Sequence, residues 1–367
     1  MSERIASLLT LDDFERAARD VLEPSALGYF RSGADAERTL RANRRAYRRW
    51  EIWHRVLVDV SRLDTSTTVL GARVPSPVLI APTAYHRMAH PDGEAGTARA
   101  AARAGTVMVV STLATTALED VAAAAPGATR WFQLYVHKDR GFSAELVRRA
   151  AAAGYRALVL TVDTPVLGRR LADERQGFAL PAGMKMENLG PLLAGATSSE
   201  ASMLARFVAS RHDASLSWRD LDWLRSLSAL PVVLKGLARA DDAARAADAG
   251  VDGIVVSNHG ARQLDGSPAT LDALPGVVEA VAGRLEVYLD GGVRWGTDVL
   301  KALALGARAV LLGRPILWGL AVGGEAGVSA VLALLDGELR RAMALAGCPT
   351  LASIDGELVK RRPRPGL

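Results

Sequence analysis

Cysteine is nearly absent. Cys348 is the single thiol in 367 residues. It can form no internal disulfide and can anchor no cysteine-based metal site, and no metal centre is expected. Such usage fits a reducing compartment, so a cytoplasmic location is expected. Aromatic residues make up only 5% of the chain while hydrophobic residues reach 49% with very frequent alanine. That balance disfavours a β-sandwich and favours many small helices packed on strands. Long apolar runs are missing too. The first twenty residues, MSERIASLLTLDDFERAARD, contain no apolar core of signal-peptide length. Elsewhere Arg, Asp or Gly interrupts the apolar runs before they could span a bilayer, and the final RPRPGL is no recognised targeting signal. No membrane partner is expected.

Lysine is scarce as well. Only Lys138, Lys185, Lys235, Lys301 and Lys360 are present, so arginine supplies nearly all of the positive charge behind the net +5. The densest cluster is RTLRANRRAYRRWEIWHR, from Arg38 to Arg55. A nucleic-acid surface would need more than charge, and no nucleic-acid motif accompanies it. The cluster reads as a helix with a solvated, arginine-rich outer face, and no nucleic-acid partner is expected.

What is present is a rhythm. From about residue 77 the chain alternates short apolar runs with helical patterns. The runs are PVLIAPTA, VMVVST, RWFQLY, ALVLTVD, PVVLKG, GIVVSNHG, EVYLDGG and AVLLGRP. Each is short and apolar throughout, as strands buried on both faces are. Helical patterns follow each run, several ending in glycine, and the last extends from about Gly327 to Gly347. Eight β-then-α units predict an α/β fold, a (β/α)8 TIM barrel. The barrel spans about 77–350 of a single domain covering 1–367. Residues 1–76 form a mainly helical N-terminal extension. A long insert at 171–217, after strand four, is part polar and part apolar, and suits a lid.

A barrel of this kind carries its active site at the C-terminal ends of its strands. Those ends hold Thr83, Ser111, Gln133, Tyr135, Thr161, Asp163, Lys235, Ser257, His259, Asp290, Gly291, Gly292, Gly313 and Arg314, with Arg294 just beyond strand seven. Glycine lets a phosphate approach backbone amides, and arginine adds fixed donors, so the last two loops suit a phosphate. Gln133, Thr161 and Ser111 could edge a flat heterocycle such as an isoalloxazine. Lys235 could place charge beside a ring position that becomes anionic on reduction, or form a Schiff base as aldolase lysines do. Of six histidines, only His259 ends a barrel strand. Its imidazole suits proton removal near neutral pH, and Asp163, on the same rim, could hold it. His54, His86, His90, His137 and His212 are assigned to structural or exposed places. Arg262 and Arg170 together suggest an anionic substrate, and Tyr29 and Tyr135 could complete its polar contacts.

The motifs YFRSGADAERTL, APTAYHRMAHPDGE, WFQLYVHKDR, LTVDTPVLGRR, VVLKG, SNHGARQLDG, LDGGVRWGTDVLKALALGA and LLGRP run in order from about residue 10 to 350. In them the chain resembles the FMN-dependent 2-hydroxy-acid oxidases and dehydrogenases. The resemblance implies FMN as cofactor. It implies His259 as base with Asp163 as its partner, Arg170, Arg262 and Tyr29 on a substrate carboxylate, and Tyr135 near the substrate hydroxyl. It places Lys235 at the flavin N1 edge. Thr83, Ala84, Ser111, Gln133, Thr161 and Ser257 fall to the ring, and Asp290, Gly291, Gly292, Arg294, Gly313 and Arg314 to the ribityl phosphate. It implies oxidation of an (S)-2-hydroxy acid to the 2-keto acid, with O2 reduced to H2O2, by a homo-oligomer, a tetramer or octamer. A soluble dehydrogenase with another acceptor, or a lactate-monooxygenase-like outcome, stays open beside it. Leu113 stands where glycolate oxidase carries tryptophan, so the expected substrate is bulky aliphatic or aryl, mandelate-like. Trp295 also departs from the pattern, with no stated effect beyond the surface.

Overall fold

Eight short parallel strands close on themselves: β1 (Val78–Ile80), β2 (Met108–Ser111), β3 (Arg130–Leu134), β4 (Leu158–Thr161), β5 (Val232–Leu237), β6 (Gly253–Val256), β7 (Glu286–Asp290) and β8 (Ala309–Leu312). They pair in chain order, and β8 returns to β1 with Leu311 opposite Leu79. This computed structural model describes residues 3–190 and 211–362. Helices alternate with the strands: α1 (Gly93–Ala104), α2 (Leu118–Ala124), α3 (Arg140–Ala152), α4 (Asp220–Ser226), α5 (Ala240–Asp248), α6 (Thr270–Val281), α7 (Gly296–Ala304) and α8 (Arg314–Ala346). The (β/α)8 barrel expected from the rhythm is the observed fold. Strands β1–β4, β6 and β8 are buried at every residue, which is why they read as unbroken apolar runs.

Two apolar layers result. One fills the barrel: Leu79, Val109, Trp131, Val159, Val233, Val255, Tyr288 and Leu311 meet inside it. Trp131 and Tyr288 pack edge-on there at 5.5 Å. A hairpin of Thr67–Val69 and Ala72–Val74 adds Val69 and Val74 to the same cluster. The interior is therefore packed solid, and chemistry is left to the strand ends and their loops. The second layer lies between strands and helices, and it holds most of the remaining buried side chains.

The structure differs from the sequence reading in two elements. The last helix starts at Arg314, not near Gly327. Gly323 and Gly324 leave helical geometry and bend it, so the glycine-rich AVGGEAG stretch is a kink inside a longer helix. By length and composition this helix could cross a membrane, yet 61% of its most apolar window is buried against the fold. Its apolarity is that of a core helix, which packs on α1, α7 and the helix Leu11–Arg19. The N-terminal extension is helical only to Ala46. Beyond a single 3-10 turn it becomes strands, and Trp50–Ile52 pairs antiparallel with Val359–Arg361. Of the insert, a short helix Leu171–Gln176 and a turn at Glu187–Leu189 are seen; residues 191–210 of the expected lid lie outside the described residues.

Two glycines let loops meet over the barrel. β5 bulges at Gly236, where φ is +114° and an added Cβ would stand 2.6 Å from Cβ and Cγ of Asp163. At Gly292, with φ +86°, a Cβ would stand 2.4 Å from the Asn43 carbonyl oxygen. Asn43 itself exchanges side-chain amide hydrogen bonds with Asn258, at 2.9 and 2.8 Å, and accepts from Thr270 N–H. The N-terminal extension is thereby fastened to the ends of β6 and β7.

Gly236→Ala should cost about 1–3 kcal/mol of stability, the usual range for overpacking. It should also push Asp163 from its place. Urea unfolding and turnover of the same preparation check this, and unchanged turnover would mean that Asp163 tolerates the added methyl.

Candidate active site

The chain after β6 winds left-handed, with φ of 59° at His259, 61° at Gly260 and 63° at Ala261. Non-glycine residues rarely adopt that geometry, and they keep it only where their surroundings impose it. Here Asn258 Oδ1 accepts from Ala261 N–H, Ser257 Oγ accepts from His259 N–H, and Ala261 O accepts from Ala34 N–H. The winding delivers the imidazole to the cavity. Its Nδ1 lies 2.8 Å from Asp163 Oδ1, and its Nε2 lies 3.4 Å from the Tyr135 hydroxyl. Burial favours a protonated Asp163, but His259, and then Lys235, outweigh it and hold its carboxyl below the usual aspartate value. An ionised Asp163 fixes Nδ1 as the N–H donor and leaves Nε2 free to take a proton. Gln263 latches this arrangement: its amide donates to the Asp163 and Val166 carbonyls and accepts from Gly168 N–H.

The cations come next. Tyr29 presents its ring to both Arg262 and Arg170, whose guanidinium carbons lie 4.6 and 5.4 Å from the ring centre. Arg262 and Arg314 hold the carbonyls that end the helix Pro24–Arg31. Arg262 donates to Tyr29 O and Ser32 O, and Arg314 to Phe30 O and Ser32 O. A helix C-terminus is a fitting counter-dipole for them. It does not offset them fully. Burial, then Arg262 and Arg294, push Arg314 down to about 9. Burial and the neighbouring Arg170 lower Arg262 in the same sense. Arg262 Nη2 and Arg294 Nε are buried without hydrogen-bond partners. Buried unpaired donors beside like charges call for an anion.

Beneath this lies a polar floor. Lys235 Nζ sits 3.1 Å from Asp290 Oδ2 and donates to Ser257 Oγ at 3.0 Å. Burial works against its charge, but Asp290 and then Asp163 hold its pKa above the ordinary lysine value. An ammonium so paired is a fixed charge, not the free amine a Schiff base requires. Gln133 accepts from Ser111 Oγ and donates to Thr161 Oγ1, giving a linked polar edge across β2, β3 and β4. At the far end, Asp298 and Glu338 already occupy the amides that start α7. The start of α8 at Gly313–Arg314 has no such side-chain cap, so a phosphate could sit there.

One cavity joins these parts. Tyr29, Thr83, Ala84, Ser111, Leu113, Gln133, Tyr135, Thr161, Arg170, Lys235, His259, Arg262, Asp290, Gly291, Gly292, Arg294, Gly313 and Arg314 all line it. The FMN-dependent dehydrogenase family model matches residues 18–361. The chain belongs to that family. FMN is its cofactor, and it is a flavoenzyme of the 2-hydroxy-acid oxidase group. The 2-hydroxyacid oxidase 1 of Homo sapiens is 52% identical over 360 residues, 97% of each chain. An L-lactate oxidase of Nostoc sp. is 53% identical over 357 residues, 96% of this chain and 98% of that one. A mandelate oxidase structure with (S)-4-hydroxymandelic acid superposes with a TM-score of 0.91 at 44% identity, covering 97% of this chain and 99% of that one.

The flavoenzyme's own residues fit FMN. The cavity offers a linked amide and hydroxyl edge, a fixed lysine charge, an unpaired Asp290 Oδ1 for a ribityl hydroxyl, and an uncapped helix start with unpaired arginine donors. Ser257 does not line this cavity; it stands behind the wall, accepting from both Lys235 and the His259 amide. Asp163 also stands behind the wall, against His259. The sequence reading missed Tyr85, Gln263 and His212, which line the cavity. His212 is stacked on the Tyr135 ring at 4.5 Å, and neither of its ring nitrogens has a hydrogen-bond partner. It sits on the insert, far from any strand end, so no sequence signal pointed to it.

Burial pushes His137 down to about 4, and burial, then His137 and His259, push His212 down to about 3. Both rings are thus neutral in the folded enzyme. As pH falls below about 6.5, the unfolded chain binds protons that the folded chain refuses, so stability present above that pH is lost towards 4. His212→Phe keeps a flat ring on Tyr135 and removes one such group. Its melting temperature should fall less steeply than wild type between pH 6.5 and 4.5; equal slopes would show that His212 titrates freely in the fold.

Proposed function

We propose that the enzyme oxidises (S)-2-hydroxy acids bearing an apolar side chain to 2-keto acids, with O2 as electron acceptor. The observation that carries this reading is the meeting of a free His259 Nε2 with the Arg170–Tyr29–Arg262 group in one cavity. Arg262 Nη2 and Arg170 would clamp the substrate carboxylate, and Tyr29 would add its hydroxyl. The clamped acid presents its 2-hydroxyl end to Tyr135 and His259. His259 Nε2 takes the proton the substrate must lose. Asp163 keeps the ring in the right tautomer and stabilises the imidazolium. When bound, FMN would take up the substrate's two electrons with its second hydrogen, and their delivery to O2, with the proton held by His259, would give H2O2. Support for O2 is that the relatives carry the name oxidase.

Leu113 and Leu167 give the side-chain end an apolar wall, which supports bulky aliphatic or aryl acids. Tyr85 lines the same cavity, its ring 5.2 Å from that of Tyr29, and adds aromatic bulk to the wall. This favours a second reading, a small aliphatic acid such as lactate. The homo-oligomer reading has support in Val56, Leu57 and Leu345, apolar side chains more than two-thirds exposed on the adjoining segments 53–58 and 345–347.

Anaerobic mixing with a panel of 2-hydroxy acids tests the substrate, followed by air and a peroxide assay. Fast bleaching by mandelate or long-chain acids, then fast recovery with stoichiometric peroxide, is the expected result. Faster bleaching by lactate selects the second reading. Slow recovery points to another acceptor, and recovery without peroxide to a monooxygenase. His259→Ala should retain FMN and slow anaerobic bleaching by about 10²–10⁴, the usual contribution of a general base. Bleaching at near wild-type rate would remove His259 from the chemistry.

A further inference from the structure

His86 is fully buried, and no part of the proposed chemistry uses it. Its ring lies between two hydroxyls. Nδ1 is 2.9 Å from Thr97 Oγ1, and Nε2 is 2.5 Å from Thr83 Oγ1. Thr97 stands on α1, and its hydroxyl donates to the Gly93 carbonyl one turn back. A hydroxyl has one proton, so Thr97 must accept from the ring. Nδ1 is therefore the N–H.

The other nitrogen follows. Both oxygens of the buried Glu94 are served by donors that are not the ring: the His86 and Thr115 amides and the Thr115 and Thr116 hydroxyls. No ring proton is needed there. Burial lowers the His86 pKa and outweighs the opposite pulls of Glu94 and of the Thr83 backbone, so the ring is neutral. A neutral ring with Nδ1–H has a lone pair at Nε2, and the Thr83 hydroxyl must donate to it. Thr83 lines the cofactor cavity beside the end of β8, where a Cβ on Gly313 would come within 3.5 Å of its methyl group.

We propose that His86 is a positioning residue for the cofactor: it takes the Thr83 hydroxyl proton and leaves Thr83 Oγ1 to face FMN as an acceptor alone. This rests on the FMN reading of the cavity. The donors FMN can offer such an oxygen are its imide N–H, its ribityl hydroxyls and the N–H gained on reduction. A side chain that returned the proton to Thr83 would turn an acceptor into a group that can meet those donors proton to proton.

The test is ¹⁵N NMR of the histidine-labelled holoenzyme, with His86 assigned by its loss in His86→Gln, combined with FMN dissociation constants. The expected spectrum has Nδ1 protonated and Nε2 bare at neutral pH. His86→Leu should weaken FMN about tenfold, as losing one hydrogen bond and freeing a proton would. Thr83→Val should weaken it similarly, and adding His86→Leu to Thr83→Val should change little, because His86 acts through that hydroxyl. His86→Gln, which can accept from Thr83 and donate to Thr97, should come back to within about threefold of wild type. An Nε2–H tautomer or an imidazolium in the yellow protein overturns the proposal and leaves the cofactor reading intact. So does a His86→Leu loss that persists in full on Thr83→Val. If His86→Leu does not fold, the wild-type spectrum and His86→Gln decide. A wild type that took up no FMN would sink both readings.

Discussion

Everything around the site answers to one constraint: four arginines and a lysine crowd one cavity at one end of a barrel. Arg170, Arg262, Arg294, Arg314 and Lys235 cannot all be neutralised by the acids nearby, since Asp290 is taken by Lys235 and Asp173 faces Arg170. The fold offsets part of the cost with peptide dipoles, turning the carbonyl end of the helix Pro24–Arg31 onto Arg262 and Arg314. The remainder is left for anions that enter from outside. A phosphate at one end of the cavity and a carboxylate at the other would complete the electrostatics and so link ligand binding to stability.

Much of this was legible before the structure. The barrel followed from eight apolar runs whose burial on both faces leaves no polar alternation. Once a barrel was assumed, each polar residue at a run's end became a candidate, and that rule placed His259, Lys235, Gln133 and Asp290 correctly on one rim. Residues that reach the site from elsewhere were not legible in this way. His212 comes from the insert, Gln263 works by latching backbone carbonyls, and Asn43 comes from an arginine-rich helix whose sequence advertises only its solvated face. The kinked α8 was shortened because paired glycines look like a terminus when they are a bend.

His259 also shows how local strain is maintained. Its positive φ, and that of Ala261, are held by two local hydrogen bonds, to Ser257 and Asn258, and one from Ala34. The N-terminal extension supplies one directly and, through the reciprocal pair of Asn43 and Asn258, braces another. The extension is thus part of the catalytic frame, although it contributes no strand to the barrel.

The grip of Arg314 on Phe30 and Ser32 has a consequence for how the molecule comes into being. The helix that must be held emerges first from the ribosome, and its holder follows 282 residues later by the Ser32 contact. Until the eighth strand is made, the Phe30 carbonyl has no guanidinium, and the Ser32 carbonyl has only that of Arg262. A nascent chain therefore lacks the Gly313–Arg314 part of the cavity wall, and the complete flavin site belongs to the last stage of synthesis.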